Sequence, residues 1–221
     1  MTPRWVVISK VALWGACLAP LSVLVLRAAE VGAMSLGANP VEEILNVCGK
    51  TGLNLLILTL CVTPIRRSTA INRLIAFRRL LGLFAFFYLL LHFLTYALLD
   101  LRLAWETVFD DITKRPYITV GFTALVLLVP LAVTSTSGLQ RRLGRKWTKL
   151  HRLVYPVAVL AVVHYWWQTK IDVAEPLLYG FLLAVLLGVR VHHIWLQNHR
   201  RRQSVDSKAT VASTYPRVEP P

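Results

Sequence analysis

The chain has 221 residues, of which 56% are hydrophobic and only 16% are charged, and its formal net charge is +14. Soluble domains are about half apolar and a quarter charged, so this composition excludes an ordinary soluble enzyme. The positive charge would fit nucleic-acid binding in a soluble chain. Here the basic residues lie between long apolar runs, which predicts a polytopic membrane protein that binds no nucleic acid.

Six apolar runs divide the chain, and each is long enough to cross a bilayer, which takes about 20 helical residues. In chain order they cover residues 5–27, 44–63, 80–98, 117–134, 150–168 and 176–197. The first run is longer than the apolar core of a signal peptide and has no clear cleavage site after it, so we expect it to be retained. The pattern predicts an all-α bundle of six transmembrane helices over residues 1–200 and a disordered polar tail over residues 201–221.

The connections between the runs differ in charge. The connections after the second and fourth runs and the tail after the sixth run are strongly basic. The connections after the first, third and fifth runs hold most of the acidic residues. Basic segments stay on the cytoplasmic side of a membrane and are attracted to anionic lipid. The charge pattern therefore predicts that both termini are cytoplasmic.

Two histidines lie at matching depths within these runs. The third and fifth runs both begin on the cytoplasmic side of the membrane. At about 1.5 Å per residue, His92 lies about 18 Å along the third run and His164 about 21 Å along the fifth. An ionisable side chain inside a membrane is costly and usually functional, and imidazole is a common axial ligand of haem iron. A core histidine satisfied by hydrogen bonds is the alternative. The matched depth favours a b-type haem held between His92 and His164 near the outer face.

A third histidine, His151, lies at the cytoplasmic end of the fifth run, level with Arg78 of the third. Arginine stays protonated and offers no lone pair, so these two residues cannot form a second bis-histidine site. His151 could bind a haem with a weak or absent sixth ligand, contact a flavin, or lie at the interface. On an ideal helix it points about 140° away from His164, and we expect Pro156 between them to kink the helix and change the twist. The remaining histidines are predicted to be interfacial; they are His192, His193 and His199.

Several motifs of redox and nucleotide-binding proteins are absent from the sequence. No C-x-x-C-H occurs, so any haem is held without a covalent bond, and the three cysteines predict no disulfide. Neither G-x-G-x-x-G nor a P-loop occurs, so we expect no nicotinamide-binding domain in this chain. If the chain transfers electrons, they come from a separate donor and pass to a separate acceptor.

Longer strings of the sequence resemble the MsrQ family, also called YedZ. They are RRLLGL at residues 78–83, FFY at 86–88, LH at 91–92, DITKRPYITVG at 111–121, PLA at 130–132, RLG at 142–144 and LHRLVY at 150–155. Shorter matches are NP at 39–40, TP at 63–64, RR at 66–67 and His164, and with them the resemblance covers nearly the whole chain except the tail. The resemblance implies a ferric-reductase-like transmembrane fold in the bacterial inner membrane, with b haem and a flavin mononucleotide (FMN).

The resemblance also implies a role as the haem-binding membrane subunit of a periplasmic protein-methionine-sulfoxide reductase. Electrons from the quinone pool or a cytoplasmic flavin reductase would pass to a periplasmic molybdopterin subunit, the partner in a heterodimer, which repairs oxidised envelope proteins. The chain would then be an electron-transfer subunit rather than the catalytic one. Larger oxidase relatives have two histidines on each of two helices, a pattern from which Arg78 departs. Arg78 and Arg79, with His151, are candidate contacts for a flavin phosphate or haem propionate.

Two other functions fit the same residues. The chain could be a stand-alone cytochrome-b-type ferric or quinol reductase that needs no periplasmic partner. It could instead be a non-redox transporter whose histidines relay protons. Absorbance separates the transporter from the other two functions, because only a haem protein has a Soret band.

Overall fold

A computed structural model describes residues 4–31, 35–71, 74–169 and 173–214, and within these ranges it contains helices and no strand. The helices are α1 (Arg4–Ala28), α2 (Pro40–Thr69), α3 (Ile75–Thr95), α4 (Trp105–Lys114), α5 (Pro116–Val133), α6 (Ser137–Leu143), α7 (Arg145–Leu150), α8 (Val154–Gln168) and α9 (Ala174–Thr214). A π-helical turn (Tyr96–Asp100) continues α3, and a 3-10 turn (His151–Leu153) joins α7 to α8. The predicted all-α fold class is confirmed.

Five helical segments of the described chain are long and apolar enough to cross a membrane: Val7–Ala28, Pro40–Thr69, Ile75–Asp100, Pro116–Val133 and Ala174–Arg200. The fifth predicted run is not one regular helix, because a 3-10 turn interrupts it before α8. α8 itself has 15 residues, about 22 Å at 1.5 Å per residue, which is shorter than the roughly 30 Å of hydrocarbon in a bilayer. The count of six spans and the cytoplasmic termini stay predictions.

The last helix extends beyond the predicted span. α9 has 41 residues and continues to Thr214, so the structure has helix where we expected disorder over residues 201–214. This stretch contains arginine, glutamine, lysine and alanine, which favour helix, and it continues an existing helix, which avoids the cost of nucleation. Residues 215–221 lie outside the described residues, and the domain boundary at residue 200 stays a prediction.

Two helix pairs form the centre of the bundle. α2 packs along α3, α5 packs along α8, and α3 contacts α5 between the two pairs. The interfaces contain small or aliphatic side chains that are almost fully buried, including Leu56, Ala85, Val157 and Ala158. Small side chains let helix backbones approach closely, which is how helices associate in lipid. The two pairs together position the histidines singled out from the sequence.

The side chain of Tyr88 on α3 attaches α1 to this centre and is fully buried. Its hydroxyl donates to the Cys17 carbonyl oxygen at 2.7 Å and accepts from the Leu21 amide at 3.2 Å. In a regular helix these two backbone groups, four residues apart, bond to each other. Pro20 lies between them within α1, and the inserted hydroxyl satisfies both groups at this point of the helix.

Replacing Tyr88 with phenylalanine should therefore destabilise the bundle while keeping its shape. The ring remains, but the two backbone groups of α1 lose the hydroxyl that joins them. A hydrogen bond between membrane helices contributes about 1 kcal/mol, so we expect a loss of about 1–2 kcal/mol, measured as a lower thermal midpoint in detergent. Tyr179→Phe is the matched control, because its hydroxyl bonds to Asn54 at an exposed position. Equal midpoints for Tyr88→Phe and the unaltered protein would contradict this role.

The connection between α3 and α5 contains the amphipathic helix α4. Its Asp111 is buried, accepts a hydrogen bond from the Tyr96 hydroxyl at 2.6 Å and pairs with Arg115 at 3.0 Å. Trp105 and Phe109, one turn apart on α4, stay exposed. The buried carboxylate thus joins the end of α3 to the residue that precedes α5, and so fixes where α5 begins.

Candidate functional site

His92 of α3 lies against the first turns of α2. Its Nδ1 is 2.9 Å from the Leu45 carbonyl oxygen. Because a carbonyl only accepts hydrogen bonds, this Nδ1 carries the proton and Nε2 keeps its lone pair. Gly49, one turn further along α2, lies against the ring, and a Cβ there would be 3.0 Å from Nδ1. The α2 backbone therefore fixes both the tautomer and the position of the imidazole.

His164 of α8 has the same surroundings on α5. Its Nδ1 donates to the Tyr117 carbonyl oxygen at 2.7 Å, so Nε2 again keeps the lone pair. A Cβ at Gly121 would lie 2.7 Å from Nδ1 and 2.8 Å from Cε1 of the ring, which is closer than side-chain atoms pack. The ring can occupy this position only because residue 121 is glycine.

The two histidines thus occupy two copies of one arrangement. Each histidine follows the residue whose carbonyl it contacts by 47 positions. In both copies the glycine comes four residues after that carbonyl, about one helical turn. Neither glycine was expected from the sequence, although the equal spacing of residues 45, 49 and 92 and of residues 117, 121 and 164 is a signal for them.

The structure brings the two imidazoles next to each other. Their ring centroids are 6.3 Å apart and their planes differ by 79°. A metal–imidazole bond is about 2 Å long, so two imidazoles on opposite sides of one metal ion have centroids about 6 Å apart. Metal-ligating histidines commonly donate their other ring N–H to a backbone carbonyl, as both of these do. The distance between the two ring centroids and the tautomers of the two histidines fit an iron held between the two Nε2 atoms.

His151 lies in the 3-10 turn that precedes α8. Its Nδ1 is 3.2 Å from the Trp147 carbonyl oxygen, and its ring stacks on the Trp147 indole with centroids 3.9 Å apart. Its Nε2 is buried and has no hydrogen-bond partner among the described residues. A buried polar atom without a partner is costly and needs an explanation, such as a ligand that reaches it. The residues around His151 therefore fit a bound group at this second position.

The 3-10 turn also changes the relation between His151 and His164. A 3-10 helix has three residues per turn, so the angle calculated for an ideal α-helix does not apply across it. We expected Pro156 to kink the span. Instead, Pro156 lies in the first turn of α8, where the amide that proline lacks would have no partner within the helix.

The two arginines singled out beside His151 differ in exposure. Arg78 is half-buried and lies near enough to His151 for its charge to act on the imidazole, and its role at this position stays a prediction. Arg79, the next residue on α3, is exposed. Neither arginine takes part in the ion pairs of the described residues. Both remain available to an anionic group.

Three further histidines lie on α9, on a different helix from His92, His164 and His151. His192 and His199 are exposed and contact the Trp195 ring from either side along the helix. His193 is half-buried and bonds to Gln197 at 3.0 Å. These ring and hydrogen-bond contacts are within α9 itself, and the interfacial placement of the three histidines stays a prediction.

A polar network next to the histidine pair was not expected from the sequence. Lys50, which follows Gly49, pairs with Glu175 of α9 at 2.6 Å, and the Tyr165 hydroxyl, next to His164, donates to the same carboxylate at 2.7 Å. The network ties α2, α8 and α9 together beside the two imidazoles. Its signal in the sequence was Lys50 itself, an ionisable residue inside an apolar run.

Comparison with known proteins gives consistent matches. The family described as ferric reductase like transmembrane component matches residues 48–162. Over 212 residues the chain is 49% identical to the protein-methionine-sulfoxide reductase heme-binding subunit MsrQ of Xanthomonas campestris pv. campestris strain 8004, covering 95% of this chain and 96% of the relative. It is 47% identical over 219 residues to MsrQ of Xanthomonas axonopodis pv. citri, covering 98% and 99%. It is 49% identical over 190 residues to MsrQ of Ralstonia nicotianae, covering 84% and 86%.

Proposed function

The chain belongs to the MsrQ family, whose membrane domain is ferric-reductase-like, and we propose that it carries electrons through a haem held by His92 and His164. It is a multi-pass protein of the bacterial inner membrane with a role in electron transfer. The observation that carries the proposal is the pair of imidazoles 6.3 Å apart, each with Nδ1 bonded to a backbone carbonyl.

In this proposal the Nε2 atoms of His92 and His164 would hold the iron of one b-type haem. The bound haem supplies a carrier that takes up and releases one electron at a time. The Leu45 and Tyr117 carbonyls keep each imidazole in the ligating tautomer and raise its basicity. The glycines of α2 and α5 give both rings their room against the helices.

The electrons come from a separate donor, either the quinone pool or a cytoplasmic flavin reductase. They leave to a periplasmic molybdopterin subunit that reduces methionine sulfoxide in oxidised envelope proteins. The relatives are named heme-binding subunits of a protein-methionine-sulfoxide reductase, which supports a separate catalytic partner for this chain. Six spans, with the 3-10 turn and α8 together forming the fifth and both termini in the cytoplasm, would put the histidine pair nearer the outer face.

We infer a second bound group at His151, either FMN or a haem without a strong sixth ligand. The buried Nε2 without a partner supports a group at this position. Arg78 beside it suits a flavin phosphate or haem propionate, because guanidinium groups bind such oxyanions through paired hydrogen bonds. Exposed Arg79 is a further candidate contact for the same anion.

Replacing Arg78 with histidine tests the second position. A new imidazole at the level of His151 would supply the ligand that arginine cannot, so haem content should rise toward one additional haem per chain with an added low-spin signal. The measurements are the haem-to-protein ratio and electron paramagnetic resonance. Arg141→His, at an exposed position on α6 to which no bound group is assigned, is the control and should leave both unchanged. If a haem already occupies this position, the ratio should stay the same and only the low-spin signal should grow; a folded Arg78→His variant with both readouts unaltered would contradict a haem-competent position at His151.

The absorbance spectrum of the purified protein, with and without dithionite, tests the function itself. We expect a Soret band and, on reduction, the sharp bands of a low-spin haem with two imidazole ligands. Methionine sulfoxide should reoxidise this haem only when the catalytic partner is present. Absence of a Soret band would favour the transporter, and rapid reoxidation by ferric chelates without a partner would favour a stand-alone reductase.

A further inference from the structure

A groove of about 350 Å³ lies between α2 and α9, at the end of the bundle that carries the basic connections. One wall is aliphatic and includes Leu60 of α2 and Leu187 of α9. Tyr155 of α8 lines the groove between them. None of the proposed ligands His92, His164 and His151 lines the groove, although Tyr155 follows His151 by four residues, and the inference drawn from the groove does not rest on the proposed function.

The polar residues of the groove are cationic. Arg67 from the end of α2 and Arg190 from α9 both line it, with His192 and His193 beside them. The Arg190 guanidinium carbon lies 4.5 Å from the centre of the Tyr155 ring, a cation–π contact that holds its charge at the groove wall. Hydroxyl groups of Thr63 and Ser68 also line this end of the groove.

No acidic residue is among the described residues that line the groove. Neither arginine belongs to the ion pairs of the described residues. The sequence has no aspartate or glutamate between residues 44 and 99 or between residues 176 and 205, so the segments of α2 and α9 that line the groove supply none. Asp206 is the next acidic residue on α9, about 24 Å along the helix from Arg190 at 1.5 Å per residue. The two guanidinium groups therefore present uncompensated positive charge next to apolar side chains.

We propose that this groove binds an anionic phospholipid, with Arg67 and Arg190 on the phosphate and an acyl chain against the aliphatic wall. Guanidinium groups form paired hydrogen bonds with phosphate oxygens. Basic pockets between membrane helices on the cytoplasmic side are suited to anionic headgroups. A free phosphate ion would use the arginines alone, whereas an acyl chain would also pack against the apolar residues of the groove, such as half-buried Leu187.

The test is lipid retention by the full chain in detergent, measured by native mass spectrometry after addition of phosphatidylglycerol or phosphatidylcholine. We expect preferential retention of phosphatidylglycerol. A basic residue that lies against the bound anionic headgroup strengthens lipid binding about fivefold, so Arg67→Gln with Arg190→Gln should weaken retention about 25-fold. The matched control is Arg142→Gln with Arg145→Gln, which removes the same charge from exposed positions on α6 and α7 and should weaken retention less than twofold.

Further measurements distinguish lipid binding from binding of a soluble anion and from a folding defect of the variants. Arg67→Lys with Arg190→Lys keeps the charge and should restore most of the phosphatidylglycerol retention, which a fold defect would not allow. Equal losses in the groove variant and its control would overturn the site, as would equal retention of phosphatidylcholine. Displacement of phosphatidylglycerol by millimolar inorganic phosphate would show a soluble-anion site instead and overturn the lipid assignment.

Discussion

Alanine in place of His92 or of His164 should remove most of the haem from the purified protein. Each imidazole is held in a ligating tautomer by one backbone carbonyl, and the partner ring 6.3 Å away cannot replace a missing axial bond on its own. Haem content per chain should fall to a small fraction of the unaltered value, and the residual haem should lose its low-spin spectrum. The helices do not depend on these side chains for their backbone hydrogen bonds, so the protein should still insert and elute as a folded species.

The control is His193→Ala, which removes an imidazole that bonds only to Gln197 on its own helix. This variant should keep its haem content and spectrum. His151→Ala should also retain the haem of the His92–His164 pair, because His151 belongs to a separate position. If the His92 and His164 single variants both keep unaltered haem content and spectrum, the assignment of this pair as ligands is wrong.

Gly121→Ala should have nearly as large an effect although it removes no ligand. A Cβ at this position would lie 2.7 Å from Nδ1 and 2.8 Å from Cε1 of His164, so the ring must move away from the Tyr117 carbonyl. Overpacking of this kind costs about 1–3 kcal/mol, which corresponds to roughly tenfold to a hundredfold weaker haem binding. We also expect a shifted reduction potential, because the hydrogen bond that sets the basicity of the imidazole is disturbed. Haem titration and a redox titration measure the two effects.

Alanine at Gly49 and at Gly188 should weaken haem binding less than Gly121→Ala does. At Gly49 the added Cβ would lie 3.0 Å from Nδ1 of His92, so a smaller displacement accommodates it and the loss of affinity should be smaller than for Gly121→Ala. At Gly188 of α9 the Cβ meets nothing within 4 Å, so Gly188→Ala should bind haem like the unaltered protein. Equal haem affinity in all three variants would show that the glycines do not position the histidines.

The membrane-helix pattern was readable from the sequence because lipid imposes it locally. A span needs about 20 apolar residues in succession, and each of the five span-length helices overlaps a predicted run. The fifth predicted run is not one regular helix, because it begins with the 3-10 turn at His151–Leu153. Hydropathy averaged over about 20 residues does not detect such a turn, because the apolar residues of α8 outweigh His151 and Arg152.

For the candidate site too, some features follow from the sequence and others only from the packing of the helices. The sequence by itself determined that His92 and His164 lie at matching depths and that Arg78 lies level with His151, because rise per residue converts position along a span into height. Only the tertiary structure decided that the Leu45 and Tyr117 carbonyls receive the two Nδ1 protons, that Gly49 and Gly121 make room for the rings, and that Lys50 pairs with Glu175. These contacts join residues on different helices, and they depend on how the helices rotate and pack against one another, which the hydrophobic pattern of each helix does not specify.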